Sequence, residues 1–395
     1  MNKEGDIFNE LRERVISRFG IGEALDDVLM TEIDNVLLSE CQNRHINLQE
    51  RLELRKRLYN SMKRLDVLQE LIDDPKITEI MINSHDEIFV ERNNRMERWH
   101  QSIESNEKLE DIIQQIVSRI NRRVNTSSPI ADARLPDGSR VHIVLPPIAL
   151  KGPTITIRKF PEPIEMEKMI RYRTISSEAA EFMRRIVAAG YNIFISGGTS
   201  SGKSTFLNAL SGYIPPDERV ITIEDSAELR IRHIPNLVSL ETRDANAEGS
   251  GGISMTMLIK ASLRMRPDRI IVGEVRGAEA FDMLSAMNTG HDGSLSTGHA
   301  NSTKDMLTRL ESMVLMAAEL PLEAIKSQIA AGLDIMVHLS RMQDKSRRVT
   351  EISEVDGIAD GEIRLNKIFE YDAKADRLAA CGRLHNKEKL ALAGF

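Results

Sequence analysis

Gly197-Gly198-Thr199-Ser200-Ser201-Gly202-Lys203-Ser204-Thr205 matches the pattern G-x-x-x-x-G-K-[ST] in full. It also stands in the setting that pattern needs. A short apolar strand, 192–196, precedes it, and Phe206-Leu207-Asn208-Ala209-Leu210 continues a helix after it. Small residues let backbone N–H groups wrap around phosphate oxygens at a helix N-terminus, where the dipole also favours anions. Lys203 is placed to reach the β- and γ-phosphates of a nucleotide, and Ser204 to ligate Mg²⁺. The competing reading is a glycine-rich turn with no ligand. Around this loop the chain alternates strand and helix, with strand-like runs at 192–197, 220–225, 237–242, 269–275 and 294–299. Continuous apolar strands such as Ile270-Ile271-Val272 suit a parallel sheet buried on both faces. Late strands near 334–341, 348–355 and 362–371 extend this α/β domain.

Such a loop does not by itself separate kinases, GTPases and ATPase motors. No Asn-Lys-x-Asp guanine-reading motif occurs in the chain. The strand Val220-Ile221-Thr222-Ile223 ends in Glu224-Asp225. Carboxylates just past the C-terminal end of such a strand face the ligand crevice, so Glu224 is a candidate to orient or deprotonate an attacking water. Its alternative is a solvated loop acid. Ile270-Ile271-Val272-Gly273-Glu274 delivers one carboxylate beside a glycine, which suits Mg²⁺ held through its water shell; a structural role is the alternative for Glu274. Ser296-Thr297-Gly298-His299 offers a histidine that could hydrogen-bond a γ-phosphate. His291 is a weaker candidate, and a lone histidine is more often a satisfied structural one.

Upstream, residues 1–70 read as a helical segment in which Leu48, Leu52, Leu54, Leu58, Met62 and Leu65 recur at helical intervals, as in a small amphipathic bundle. Residues 71–160 read as an α+β domain. Strands are expected at 77–82 and 87–91, the second turning through Asn93-Asn94 into 95–99. Leu109, Ile112, Ile113, Ile116, Val117, Ile120 and Val124 keep to one helix face, capped by Ser105 or Asn106. Strands at 140–145 and 154–159 flank a proline-rich bend. Pro161-Glu162-Pro163 opens a charged stretch, 161–175, read as a linker because prolines stop both ladder and helix. The α/β domain then occupies 176–395, its first helix capped by Ser176 or Ser177 and ending at Gly190.

In order, GGTSSGKST, ITIEDSAEL, IIVGEVRG and GHDGSLSTGHAN resemble the Walker A, Asp box, Walker B and His box of the type II/IV secretion ATPases. The stretches 77–99, DARLPDGSRVHIVLPP and GPTITIRKF resemble the CpaF branch, the motors of Tad-type pilus assembly. The resemblance covers about 70 to 372 and implies a RecA-like P-loop ATPase domain, a cytoplasmic homohexameric ring, and ATP and Mg²⁺ as cofactors. It maps Glu224 to the catalytic acid of the Asp box, Glu274 to the Walker B acid and His299 to the His-box sensor. Arginines of the N-terminal domain clamp the γ-phosphate in this family, which makes Arg140 and Arg158 candidates and Arg134 a third; a surface ion pair is the alternative for each. A partner of the inner-membrane platform type is implied. The four-cysteine zinc module common in the type II secretion branch has no counterpart here, because only Cys381 follows the boxes.

Composition narrows the remaining readings. Lys and Arg number 53 against 60 Asp and Glu, for a net charge of −7, and aromatics are 4% with a single Trp. A nucleic-acid translocase on the same kind of core would call for a basic or aromatic-bearing channel, so nucleic acid is an unfavoured partner. A non-hydrolysing scaffold would lack the carboxylates that Glu224 and Glu274 supply. Two cysteines, Cys41 and Cys381, are too few and too distant for a disulfide framework, which fits a reducing compartment. No uncharged apolar run reaches the ~18 residues of a membrane span, and Met1-Asn2-Lys3-Glu4-Gly5-Asp6 lacks the form of a secretory signal. The expectation is a cytoplasmic chain, peripheral to the membrane through partners.

Overall fold

In the strand before the glycine-rich loop, alternate side chains enter two different hydrophobic cores. Ile193 and Ile195 pack with one set of helices and Phe194 with another, and all three are fully buried. A strand covered on both faces has no solvent side, which is why its sequence is continuously apolar. The computed structural model describes residues 3–19, 26–44, 46–93, 95–118, 124–159, 163–243, 245 and 250–395. They form two units, Met1–Glu162 and Pro163–Phe395.

The first unit begins with three helices, α1 (Lys3–Phe19), α2 (Asp26–Arg44) and α3 (Leu48–Lys63). Leu11, Val15, Leu29, Ile33, Val36, Leu37 and Leu58 make their shared core. The start of α3 is fixed by a reciprocal cap: Asn47 Oδ1 accepts from Glu50 N at 2.9 Å, and Glu50 Oε2 accepts from Asn47 N at 3.0 Å. The expected leucine stripe of this helix holds only in part. Leu58 is buried, but Leu48 and Leu52 are 72% and 57% exposed, and Leu65 lies beyond the helix in the next core. The helical spacing marks a helix correctly, yet its N-terminal leucines stay clear of the core that Leu58 shares with α1 and α2.

Next come α4 (Leu68–Asp73), β1 (Ile77–Ser84), β2 (Glu87–Arg92), β3 (Arg95–Arg98), α5 (Asn106–Ser118), β4 (Ile130–Arg134), β5 (Arg140–Val144) and β6 (Thr154–Arg158). The strands form one antiparallel sheet in the order β3-β2-β1-β6-β5-β4. Ile80, Ile82, Val141, Ile143, Ile155 and Ile157 line its buried face, packed with Leu109, Ile112, Ile113, Ile116 and Val117 of α5. Ser105 is the cap that starts α5, its Oγ accepting from Lys108 N at 3.2 Å. Ile120, Asn94 and the Pro161-Glu162 pair lie outside the described residues. Strand β4 was not expected from sequence.

The second unit contains α6 (Met166–Arg171), α7 (Ser177–Ala188), β7 (Ile193–Gly197), α8 (Lys203–Ser211), β8 (Val220–Glu224), β9 (Leu237–Glu241), α9 (Met255–Ser262), β10 (Arg269–Val272), α10 (Glu279–Met287), β11 (Leu295–His299), α11 (Thr303–Ala317), α12 (Leu322–Gly332), β12 (Ile335–Arg341), β13 (Arg347–Ala359), β14 (Glu362–Asp372), β15 (Arg377–Ala380) and α13 (Glu388–Leu392). Its nine-stranded sheet runs β15-β14-β13-β12-β7-β11-β10-β8-β9. From β12 to β9 every neighbouring pair is parallel, and β13 to β15 add an antiparallel meander. Helices α6, α7 and α8 cover one face, and α9 to α12 cover the other. Ser176 caps α7, accepting from Ala179 N at 3.3 Å. Within the stretch read as linker, α6 forms instead, and its Met166 and Met169 are buried in the core. Among the described residues no helix is long and apolar enough to cross a membrane.

Glu354, Asp356 and His385 are close enough together to suggest a metal site. Glu354 Oε2 accepts from His385 N and from Asn366 Nδ2, both at 2.8 Å, and Oε1 accepts from Asn386 N at 2.7 Å. With both oxygens committed to N–H donors, the buried carboxylate is a clasp for the C-terminal segment. Glu354→Ala is expected to cost about 3 kcal/mol in urea unfolding, from two backbone N–H groups stripped of a charged acceptor. Hydrogen exchange at His385 and Asn386 should quicken sharply; unchanged protection there would contradict the clasp.

Candidate nucleotide-binding site

Gly197 closes β7, residues 198–202 form the loop, and Lys203, Ser204 and Thr205 open α8. Ser200 takes a positive φ of 59° and Gly202 one of 96°, so the chain reverses tightly. Lys203 is 7% exposed. Its ammonium donates to the carbonyl oxygens of Gly197 and Gly198 at 3.2 and 3.1 Å, and to His299 Nδ1 at 3.2 Å. Burial lowers the Lys203 pKa from its ordinary value, while the nearby Glu274 charge opposes the shift. Thr199, Ser200 and Ser204 are exposed, and Ser201 is buried.

His299 is brought to the loop by β11, which pairs in parallel with β7 so that His299 lies directly beside Gly197. An ammonium has donors only, so His299 Nδ1 must accept and the ring proton belongs on Nε2. Burial first, then the Lys203 charge, lowers the His299 pKa, which keeps the imidazole neutral at pH 7. His299 Nε2 is 2.8 Å from Glu274 Oε1, a close contact off the axis of a hydrogen bond. The other Glu274 oxygen accepts from Arg276 Nη2 at 2.9 Å. Lys203, His299, Glu274 and Arg276 therefore form one run of polar contacts, hydrogen-bonded between Lys203 and His299 and between Arg276 and Glu274.

Glu224 ends β8, the neighbour of β10 on its far side. A Cβ on Gly273 would stand 2.9 Å from Glu224 Cγ, so the glycine before Glu274 is what lets the Glu224 side chain seat there. Glu224 Oε1 accepts from the N–H groups of Glu228 and Leu229 at 2.9 and 3.1 Å. Glu224 is only 4% exposed, and burial raises its pKa to about 7 against the pull of those two donors.

Among the described residues, the buried oxygens Ser201 Oγ, Glu224 Oε2 and Glu274 Oε1 have no hydrogen-bond partner. A hydroxyl of the loop and an orphaned carboxylate oxygen whose charge acts on Lys203 are groups that Mg²⁺ with a polyphosphate would satisfy, and Glu224 adds a second orphaned oxygen on a neighbouring strand end. The residues present fit that group. His291 does not join them. It lies before β11, at the opposite end of the strand from His299, and its Nδ1 is 3.2 Å from Ala286 O.

The arginine candidates belong to the first unit. Arg134 pairs across the ladder with Arg140, and Arg140 with Arg158. Three adjacent strands thus set three guanidinium-bearing residues in one row, on the face turned away from the core. The row continues into Glu79, the partner of Arg158 on β1. Sequence reading missed two features near the loop. Ser196 Oγ is 2.8 Å from Nδ1 of the buried His338, and Arg347 Nε donates to Ser200 O at 3.1 Å. Neither has a local signal, because both partners come from more than 140 residues away.

A parallel sheet with a glycine-rich loop at its central strand and carboxylates on neighbouring strand ends is a RecA-like P-loop ATPase fold, here preceded by a smaller α+β unit and N-terminal helices. Solved structures share it: DotB of Legionella pneumophila, described as an ATPase, has a TM-score of 0.53 at 21% identity, covering 73% of this chain and 80% of that one. The pilus retraction motor PilT, solved with bound ADP, has a TM-score of 0.54 at 17% identity, covering 83% and 85%. The chain belongs to the family described as type II/IV secretion system protein, whose family model matches residues 61–388. A putative conjugal transfer protein of Mycobacterium tuberculosis is 34% identical over 313 residues, 78% of this chain and 88% of that protein.

The raised pKa of Glu224 has a consequence for stability. The folded state binds this proton more tightly than the unfolded chain, so its contribution is fully present below the ordinary carboxylate value and is lost as pH rises through about 7. Glu224→Gln keeps an acceptor for the two N–H groups and removes the charge. Above pH 7 the variant is expected to be more stable than wild type, by up to about 3 kcal/mol, and the two should converge near pH 4. Urea titrations at pH 5 and pH 8 measure this, and parallel pH slopes would contradict it.

Proposed function

We propose that this chain is the Mg²⁺-dependent ATPase subunit of a homohexameric motor, of the CpaF type, that powers assembly of a Tad or type IV-like pilus or secretion across the envelope. It would work from the cytoplasmic side, held at the membrane by an inner-membrane platform protein. Membership of the secretion-protein family supports the general role. The observation that carries the chemistry is Lys203, a buried ammonium held at the loop by two carbonyls and His299, with Glu274 touching the same histidine.

In this reading the residues of Gly197 to Thr205 cradle the phosphates of ATP, and Lys203 exchanges its carbonyl partners for phosphate oxygens. Ser204 and Glu274 would hold Mg²⁺. When bound, the ion neutralises charge on the phosphates. Glu224, with a pKa near neutrality, is suited to take a proton from an attacking water. His299, neutral and bonded to Lys203, changes partners when a γ-phosphate arrives and so reports it to Glu274. Arg140 and Arg158, with Arg134 beside them, would supply positive charge where γ-phosphate charge develops.

Lys203→Ala is expected to abolish binding or turnover, and near-normal hydrolysis would sink the site. Glu274→Gln should still bind fluorescent ADP but lose hydrolysis by about 10²-fold or more; a fully active variant would refute its metal role. Specific activity that rises with protein concentration is expected if the sites mature on ring assembly. A low rate that stays flat while mass measurements show only monomer would contradict the ring.

A further inference from the structure

The flank of the loop facing away from His299 and Glu274 carries its own cluster of positive charge. Strand β7 has two parallel neighbours. β11, with β10 beyond it, brings His299 and Glu274 to one side, while β12 and its hairpin partner β13 stand on the other. The hairpin turn is tight. Met342 N donates to Ser346 O at 2.8 Å, and Asp344 Oδ1 accepts from Ser346 N at 2.9 Å and from Ser346 Oγ at 2.6 Å. At its mouth, Arg341 and Arg347 are directly paired across the ladder.

Two like charges opposite each other on one sheet face repel. Among the described residues no carboxylate lies within ion-pair distance of either arginine, and Asp344, the acid of the turn, is taken up by Ser346. Arg348, the next residue, shows the contrast: it is buried, donates to Tyr172 O, and lies 3.8 Å from Asp376. Arg341 and Arg347 are both exposed. Arg347 is also tied to the loop itself. Its Nε donates to Ser200 O at 3.1 Å, and its Cδ stands 3.1 Å from where a Cβ on Gly202 would be. That hydrogen bond uses one N–H of the guanidinium and, among the described residues, leaves the terminal nitrogens of this exposed side chain uncommitted.

We propose that Arg347, backed by Arg341, is a nucleotide-contacting residue that holds the α-phosphate end of the bound nucleotide. The proposal rests on reading the loop as a nucleotide site. Lys203, His299 and Glu274 mark the γ-phosphate side, so a cation on the opposite flank meets the part of the molecule that ATP and ADP share. An anion placed there also relieves the repulsion between the two arginines. Arg347 is thereby a determinant of affinity for both nucleotides and not of the hydrolytic step.

The test is equilibrium binding of mant-ADP to the full chain, with the thermal midpoint measured on the same samples without nucleotide. Arg347→Ala should weaken mant-ADP about tenfold and Arg341→Ala about threefold, each with a midpoint within about 2 °C of wild type. Hydrolysis by Arg347→Ala at saturating ATP should keep the wild-type kcat while KM rises, and Arg347→Lys should recover part of the affinity. Mant-ADP affinity within about twofold of wild type in Arg347→Ala would overturn the assignment. So would a loss of affinity in Arg347→Ala accompanied by a lowered midpoint while Arg341→Ala binds normally, since Arg347 would then only brace Ser200. Failure of the wild-type chain to bind mant-ADP at all would bring down the nucleotide reading, and this proposal with it.

Discussion

A single buried ammonium organises the second unit. Lys203 has lost most of its water and, among the described residues, has no carboxylate within hydrogen-bonding reach, so two backbone carbonyls and a neutral imidazole solvate it. That arrangement tolerates the charge without neutralising it, and burial accordingly lowers the lysine's pKa. A salt bridge would have satisfied the ammonium fully and left it nothing to offer a ligand. Partial solvation by dipoles keeps it available for an anion.

The sheet makes this geometry possible. Parallel pairing of β7, β11, β10 and β8 puts all four C-terminal ends on one edge, so Gly197, His299, Glu274 and Glu224 are gathered there although Gly197 and His299 are 102 positions apart. Cores on both faces hold those strands rigidly, and the glycine at 273 admits Glu224 next to the strand that carries Glu274. The two carboxylates end in different surroundings. Glu224 is desolvated and close to neutral pH in its titration, whereas Glu274 is wired to His299 and Arg276. Environment, not residue type, gives them separate chemistry.

Legibility of the central strands followed burial. Strands β7, β8 and β10 are enclosed on both sides, so their apolar runs mark them, with Glu224 and the glycine-rich loop at their ends and Glu274 just beyond. His299 closes β11, Leu-Ser-Thr-Gly-His, whose apolar signal is weak, and it is picked out by its box, as the RecA-like domain is by the resemblance of all four boxes. Strand β4, Ile-Ala-Asp-Ala-Arg, buries only its two alanines and carries too little apolar signal to be seen. Helix α6 follows prolines that argue against it, yet Met166 and Met169 gain a core that local propensity cannot register. The exposed Leu48 and Leu52 err the other way, since periodicity describes a helix without saying how far its neighbours reach. Register was the least accessible feature. The row of Arg134, Arg140 and Arg158 and the pairing of Arg341 with Arg347 depend on ladder alignments across hairpins, which residue spacing does not set.

The central claim is that a preformed loop with a poised lysine binds a magnesium polyphosphate nucleotide. Calorimetric titration of ATP into the full chain, with Mg²⁺ and with a chelator, tests it most directly. One ATP per chain is expected, bound at least about tenfold more tightly when Mg²⁺ is present. Absence of binding under both conditions, or an affinity indifferent to Mg²⁺, would contradict the account.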